Sequence, residues 1–359
     1  DWSSDVCSSD LGFRIRAVKE CSAKELGQIE LLRSCARGMG SVHLLMGAES
    51  STRWLLTALR VGEPSRVAVA LASRAVSISI IGAEKNWQLG QRLMSTADTL
   101  TTSLEEPLTH ATLTTQKGYI HHCAGNWRKA AAFLAEAENL LLSRCVGITM
   151  ELAILRAMNL SNAYYLGELS SIEPRLQQYL QDADTRSDRF FAAFLASSIL
   201  PIAHLMHDRA EDSWREATSR IDQMQAPTFG HFHICAISWK ANSLLYEGRA
   251  DAAYKTRYQE MPPDAKSVFK YAQLFRIVDN DLCARCALAC AQDASTSGSS
   301  HLRQAQKYVR ALEHERLRWA DALACNLRAA IAHLQGHLDE AAHGWERAAQ
   351  LFEEADMRA

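Results

Sequence analysis

Apolar residues recur along most of this chain at the spacing of one face of a helix. Between Trp127 and Leu141 they fall on Trp127, Ala130, Ala131, Leu134, Ala137, Leu140 and Leu141, the i, i+3, i+4, i+7 pattern of an amphipathic helix. A second helix precedes it, and the two meet at Gly125-Asn126, where glycine supplies the positive φ that closes a helix. Small residues at the start of the second helix allow close backbone approach, and larger ones fill its far end. A hairpin of this kind cannot bury both its faces alone, so it requires stacked neighbours.

Similar units follow one another. Turns are expected at Gly82, Gly125, Gly167, Asp208, Gly248 and Gly336, at successive intervals of 43, 42, 41 and 40 residues. The last interval of 88 residues reads as two periods of 44 with a degenerate turn near Gln292-Asp293. The expected fold is all-α: a superhelical solenoid of antiparallel helix pairs, resembling tetratricopeptide repeats but longer than their roughly 34 residues.

Taken in order, Leu26–Met46 is expected to be helical with a break or kink at Gly38-Met39-Gly40, and Ser51–Val61 to form a second helix. Gly62-Glu63-Pro64-Ser65 stops one helix and opens the next, and Ser65–Ile81 is apolar enough for burial between neighbours. Trp87–Leu104 pairs with Leu108–Cys123. Thr149–Leu166 ends at Gly167, and Pro174 opens Arg175–Ala183. Phe190–His207 is expected as one helix paired with Trp214–Met224, followed by aromatic-rich His231–Tyr246. Lys266–Gln292 and the polar linker Asp293–Ser300 lead to His301–Arg316 and Leu317–Gln335. The final helix, His337–Arg358, is expected to run on without a cap.

Residues 1–11 (DWSSDVCSSDL) resemble a translated sequencing adapter, the alternative being a disordered Ser/Asp leader, and are set apart from residues 12–359, the repeat region, in which a break is expected at 293–300. On this reading the region is truncated at both ends. Removing the leader's three aspartates moves the net charge from −2 to +1, so no basic footprint for nucleic acid is expected. No apolar run approaches the ~18 residues of a bilayer span. The nine cysteines outside the leader sit unpaired in helical segments, which suggests a reducing, cytoplasmic compartment.

Candidate chemistry is sparse. Cys283, Cys286 and Cys290 lie at i, i+3 and i+7 of a helix, three thiols on one face that could ligate a metal or cluster; their alternative role is as small apolar residues in a helix interface. His121 and His122 point about 100° apart on a helix and cannot easily share a ligand, and His231 and His233, near Cys235, diverge further. Glu105-Glu106 and Glu353-Glu354 are expected on solvated helix ends. Trp54, Trp87, Trp127, Trp214, Trp239, Trp319 and Trp345 recur near helix junctions, where they serve packing or stand as binding anchors. Phosphate-binding loops, kinase catalytic loops and nucleophile elbows have no counterpart in the sequence. No catalytic or cofactor-binding residue is therefore assigned.

The segments WLLTALRVGEPSRVAVAL (Trp54–Leu71), RCVGITMEL (Arg144–Leu152), YYLGEL (Tyr164–Leu169), LLYEGRADAAY (Leu244–Tyr254) and AAQLFEEADM (Ala348–Met357) stand in this order. Together they resemble the C-terminal tetratricopeptide-like region of large bacterial serine/threonine protein kinases that carry an AAA-type signal-transduction ATPase domain. The resemblance spans most of Phe13–Ala359 and departs from the family in the 283–290 helix and the 293–300 linker. It implies a non-catalytic interaction and sensor arm that takes a protein or peptide in its groove and acts on the upstream domains in cis. ATP and magnesium would belong to those upstream domains alone. Two other readings are carried: the helical arm of an ATP-dependent transcriptional regulator, and a metal- or redox-active protein using Cys283, Cys286 and Cys290.

Overall fold

A computed structural model describes residues 12–42, 44–225, 229–262, 271–293 and 298–358. The leader 1–11, residue 43 between the first two helices and the heart of the 293–300 linker lie outside the described residues. Everything described is helix, turn or loop, with no strand. The helices are α1 (Ala23–Val42), α2 (Leu44–Val61), α3 (Pro64–Ser79), α4 (Glu84–Thr101), α5 (Pro107–Cys123), α6 (Trp127–Arg144), α7 (Thr149–Tyr165), α8 (Ile172–Thr185), α9 (Arg189–Ser198), α10 (Leu200–Leu205), α11 (Ala210–Met224), α12 (His231–Tyr246), α13 (Ala250–Lys255), α14 (Gln273–Asp293), α15 (Gly298–Glu313), α16 (Arg318–Leu334) and α17 (Leu338–Glu354). Each packs mainly on its sequence neighbours, most extensively in the pairs α1/α2, α3/α4, α14/α15 and α16/α17. The chain is an all-α array of helix pairs.

By contact density it divides into two units, one comprising 1–121 with 129–155 and the other 122–128 with 156–359. The core of the first is centred on α3, where eleven residues including Val67, Ala68, Leu71, Ala72 and Ala75 are buried, as its apolar sequence requires. Glu63 caps this helix, its carboxylate accepting from the backbone N–H groups of Ser65 (3.3 Å) and Arg66 (3.0 Å). Pro64 sits at the first position, where no N–H is needed. Against α3 lies Gly90 of α4, where a Cβ would fall 2.0 Å from Ser79 Oγ.

The turns follow the expected rule. Gly82, Gly125, Gly167, Gly248 and Gly336 all have positive φ, and Asp208, the non-glycine member, adopts φ 58°. In the second unit the turns share one hydrogen bond: the residue after the turn donates to a carbonyl five positions back. These bonds are Glu168 to Ala163 (2.8 Å), Arg209 to His204 (3.0 Å), Arg249 to Leu244 (2.8 Å) and His337 to Ala332 (3.0 Å), the Schellman closure of a helix C-terminus. The same bond recurs at unexpected places, around Ser187 (Asp188 to Ala183, 2.8 Å) and Asp356 (Met357 to Phe352, 2.9 Å), each with positive φ.

Three expectations are corrected. α1 continues through Gly38 and Gly40 without a break: each glycine costs about 1 kcal/mol in a helix interior, less than packing on a neighbouring helix returns. The Phe190–His207 segment is two helices, not one, divided at Ile199 (φ −119°). Pro201 lacks an N–H, and its ring clashes with the carbonyl four residues back. Ser197 and Ser198 add to the break by donating their hydroxyls to the Phe194 carbonyl (3.1 and 2.7 Å). The final helix ends at Glu354 with Asp356 left-handed behind it, instead of running through Arg358.

Gly125 leaves no room for a side chain. Besides its φ of 78°, a Cβ there would lie 2.3 Å from Trp319 Cδ1, whereas Gly336 (φ 82°) has open space around it. Gly125→Ala should therefore cost ~2–3 kcal/mol and Gly336→Ala nearer ~1 kcal/mol, read as shifts in urea midpoint; equal losses would mean that the tryptophan gives way freely.

Candidate functional site

The joint around Gly125 is the most aromatic place in the second unit. Trp127 stacks on Tyr165 at 4.0 Å between centroids and 13° between planes, and meets Trp319 edge-on at 5.6 Å. His122, buried beside them, donates its Nδ1–H to Asn162 Oδ1 at 2.8 Å. Burial lowers the His122 pKa, with the Asn162 bond opposing it, so the ring is held neutral. Trp127, Trp319, His122 and Asn162 are buried and Tyr165 is half-buried, and the joint is a packing device. Trp54 is also buried, Trp87, Trp214 and Trp239 are half-buried, and Trp345 is exposed beside His333; the tryptophans thus divide between core and surface.

Cys283, Cys286 and Cys290 do share one face of α14, and that face is the core: they are 2%, 0% and 8% exposed. Cys286 packs with Ala241, Leu244, Ala253 and Leu282. Burial pushes the Cys283 and Cys286 thiols up to about 12, leaving them poor nucleophiles and poor ligands at neutral pH. Among the described residues no three His, Cys, Asp or Glu side chains converge as metal ligands. Next to Cys283 the chain buries an ion pair between Arg257 and Asp279. Arg257 belongs to a π-helical turn, Thr256–Glu260, that continues α13. The wider turn carries the guanidinium inward, and Tyr258 donates its hydroxyl to the Cys283 carbonyl at 3.3 Å.

The histidine pairs diverge as expected. His121 stacks on Phe133 (5.5 Å, 9°) while His122 turns inward. His231 packs on Phe275 (5.0 Å) and His233 on Phe229 (5.1 Å). Cys235 Sγ does lie 3.5 Å from His231 Nε2, a spacing that sequence reasoning passed over. Burial lowers His231 to about 4 and raises Cys235 to about 12, so the pair is thiol and neutral imidazole and lacks an activated nucleophile. Glu105, Glu106, Glu353 and Glu354 are all exposed.

What the sequence did not reveal is a cavity of about 180 Å³ in the first unit, among α1, α2, α3 and the start of α5. Its walls include Ile29, Trp54, Val69 and Leu108, and its polar groups are Glu30, Arg33, Ser65, Arg66, Glu106 and Thr109. Arg66 Nε lies 3.0 Å from Glu30 Oε1, close enough for an ion pair but too far off the N–H axis for a hydrogen bond. Its Nη1 is 3.1 Å from Glu63 Oε2. Glu106 Oε2 accepts from Ser65 Oγ (2.5 Å) and Thr109 Oγ1 (3.1 Å). Arg33 reaches only Glu30, at 3.6 Å. Its pKa is lowered by burial and then by the neighbouring charge of Arg37. No periodic signal marks such a site, because its residues come from four helices.

No protein-family model matches the chain, and no curated protein does either.

Two measurements follow from these environments. A neutral buried histidine costs stability when the unfolded chain can protonate and the folded chain cannot. With His231 near 4 when folded against about 6.5 unfolded, its contribution is full above pH 6.5 and falls as pH drops from 6.5 towards 4. His231→Gln should flatten the dependence of urea midpoint on pH in that window; an unchanged slope would remove the assignment. In thiol labelling of the folded protein at pH 7, exposed Cys35 should react first, with Cys283, Cys286 and Cys290 reacting only on unfolding. Fast reaction at any of those three would show that α14 is more open than described.

Proposed function

We propose that this chain is a non-catalytic interaction and sensing scaffold, the C-terminal regulatory arm of a bacterial serine/threonine protein kinase with an AAA-type ATPase domain. The observation that carries the scaffold reading is the recurrence of one helix-closing turn at repeat spacing, with successive repeats tied together. The Tyr246 hydroxyl donates to the Asp208 carboxylate, two turns one repeat apart, and His207 is tied to Glu173 at 2.9 Å. Met206 and Tyr246 stand at the same repeat position, two residues before a turn, and both are exposed. Two exposed apolar side chains on adjacent turns suit contact with an extended peptide or protein partner.

The kinase part of the reading rests on the family resemblance of the sequence alone. In it, a partner bound to the repeats biases the upstream domains, and ATP and magnesium are handled there. The free cysteines suit a cytoplasmic setting, and no described helix is long and apolar enough to cross a membrane.

Contiguous genomic sequence on both sides of the repeat region tests the proposal. An upstream frame with a Gly-rich loop, a His-Arg-Asp catalytic loop and a phosphate-binding loop is expected. A helix-turn-helix downstream, with no kinase upstream, would replace this reading with that of an ATP-dependent transcriptional regulator. A natural start codon just before residue 12 would leave a free-standing adaptor.

A further inference from the structure

The cavity of the first unit holds two charges of opposite sign that do not meet. Arg33 keeps four-fifths of its side chain buried, yet the one carboxylate within 4 Å, Glu30, is 3.6 Å away and is shared with Arg66, and Glu151 acts on it only from farther off. Among the described residues none of its five N–H donors has an acceptor at hydrogen-bond distance. A guanidinium so placed is normally held by a carboxylate in a two-pronged contact. Glu106 is the mirror case. Its Oε2 is oriented by Ser65 and Thr109, both buried, and it has no cationic partner among the described residues. Both groups line the same cavity, and no ion pair joins them.

We propose that this cavity binds a small neutral α-amino acid as its zwitterion, the carboxylate on Arg33 and the ammonium on Glu106. A ligand with one charge of each sign satisfies both groups at once and adds no net charge to a half-buried site. Simple anions are disfavoured, because Glu30 and Glu106 both face the cavity. The volume of about 180 Å³ corresponds to roughly six water molecules at their share of the liquid, which suits a short aliphatic amino acid better than a nucleotide or sugar phosphate. Ile29, Val69 and Leu108 offer apolar wall for the side chain, and Glu106 stands immediately before α5, held by Thr109 of its first turn. This inference goes beyond the scaffold reading and does not depend on it.

Titration calorimetry of the full chain with glycine, L-alanine and L-valine tests it, with propionate and propylamine as single-charge comparators. Saturable one-to-one binding of at least one amino acid is expected, at least tenfold tighter than either comparator. Arg33→Leu should abolish it, and Glu106→Gln should weaken it tenfold or more while propionate, relieved of one repelling charge, binds no more weakly than to wild type. Leu108→Trp, which alters the apolar wall and leaves both charges in place, should weaken L-valine more than glycine. It decides the matter if either charge variant fails to fold, as judged by its melting curve. No saturable heat with any amino acid up to ~10 mM, a range that still detects weak complexes, would overturn the proposal. So would propionate binding as tightly as L-alanine, or Leu108→Trp binding L-valine as wild type does.

Discussion

A two-helix hairpin has more apolar surface than it can cover by itself, and every other feature of this chain answers to that constraint. Hydrophobic burial drives repeats together but does not fix their register, because one apolar stripe slides on another at little cost. Register here is set by buried and half-buried polar pairs that are about one repeat apart in sequence. Ser65 and Glu106 share a hydrogen bond of 2.5 Å across 41 residues, the hydroxyl donating. His122 and Asn162 do so across 40 at 2.8 Å, and Asn242 and Arg285 across 43 at 2.8 Å. Each pair is satisfied only when neighbouring hairpins are correctly aligned, and a slip would strand buried polar groups at about 1–3 kcal/mol each. Packing thus supplies the stability, and these pairs choose among the arrangements packing allows.

The same economy explains the cysteines. On α14 the inward face must fit against Ala241, Leu244 and Ala253, where a leucine would be too large and a serine would bring a hydroxyl in need of a partner. A buried thiol is a compact, weakly polar filler, and three of them at i, i+3 and i+7 are what a helix with one crowded face selects. The Arg257–Asp279 pair beside them is a different kind of device. Taking two charges out of water costs several kcal/mol, so such a pair contributes little net stability, but breaking it by removing one partner is expensive. The π-helical turn carrying Arg257 is then retained by the pairing it makes possible.

Much of the fold was legible in the sequence because helix closure is a local event. Gly125, Gly167, Gly248 and Gly336 announce their turns by residue type alone, and Asp208 could be placed by its spacing. Ser187 and Asp356 adopt the same left-handed conformation without advertising it, since polar L-residues tolerate that region at modest cost. The misreadings share one cause, a local signal judged without its tertiary balance. Gly38 and Gly40 looked like breakers but are carried by packing, and Pro201 looked harmless inside an apolar run. His231 and Cys235 come within reach of each other because i and i+4 share a helix face, a relation that attention to His231 and His233 obscured.

The cavity was illegible for a deeper reason. Helical periodicity reports which residues face inward, and it is silent about which inward residues from different helices fail to fill the space between them. Arg33 and Glu106 are 73 positions apart, and each alone reads as an ordinary polar residue on an amphipathic helix. Their meaning arises only from juxtaposition. Elsewhere in the chain, opposite charges brought together have closed into pairs: Arg37 on Glu151 at 2.7 Å, Arg276 on Glu315 at 2.7 Å, Arg220 on Asp184 at 2.9 Å. Arginine side chains are long and flexible enough to find a carboxylate wherever one is within reach, and in this chain they generally do. An arginine and a glutamate that line one small space and stay apart are therefore held apart by the backbones that carry them. That separation leaves room for something of complementary charge between them.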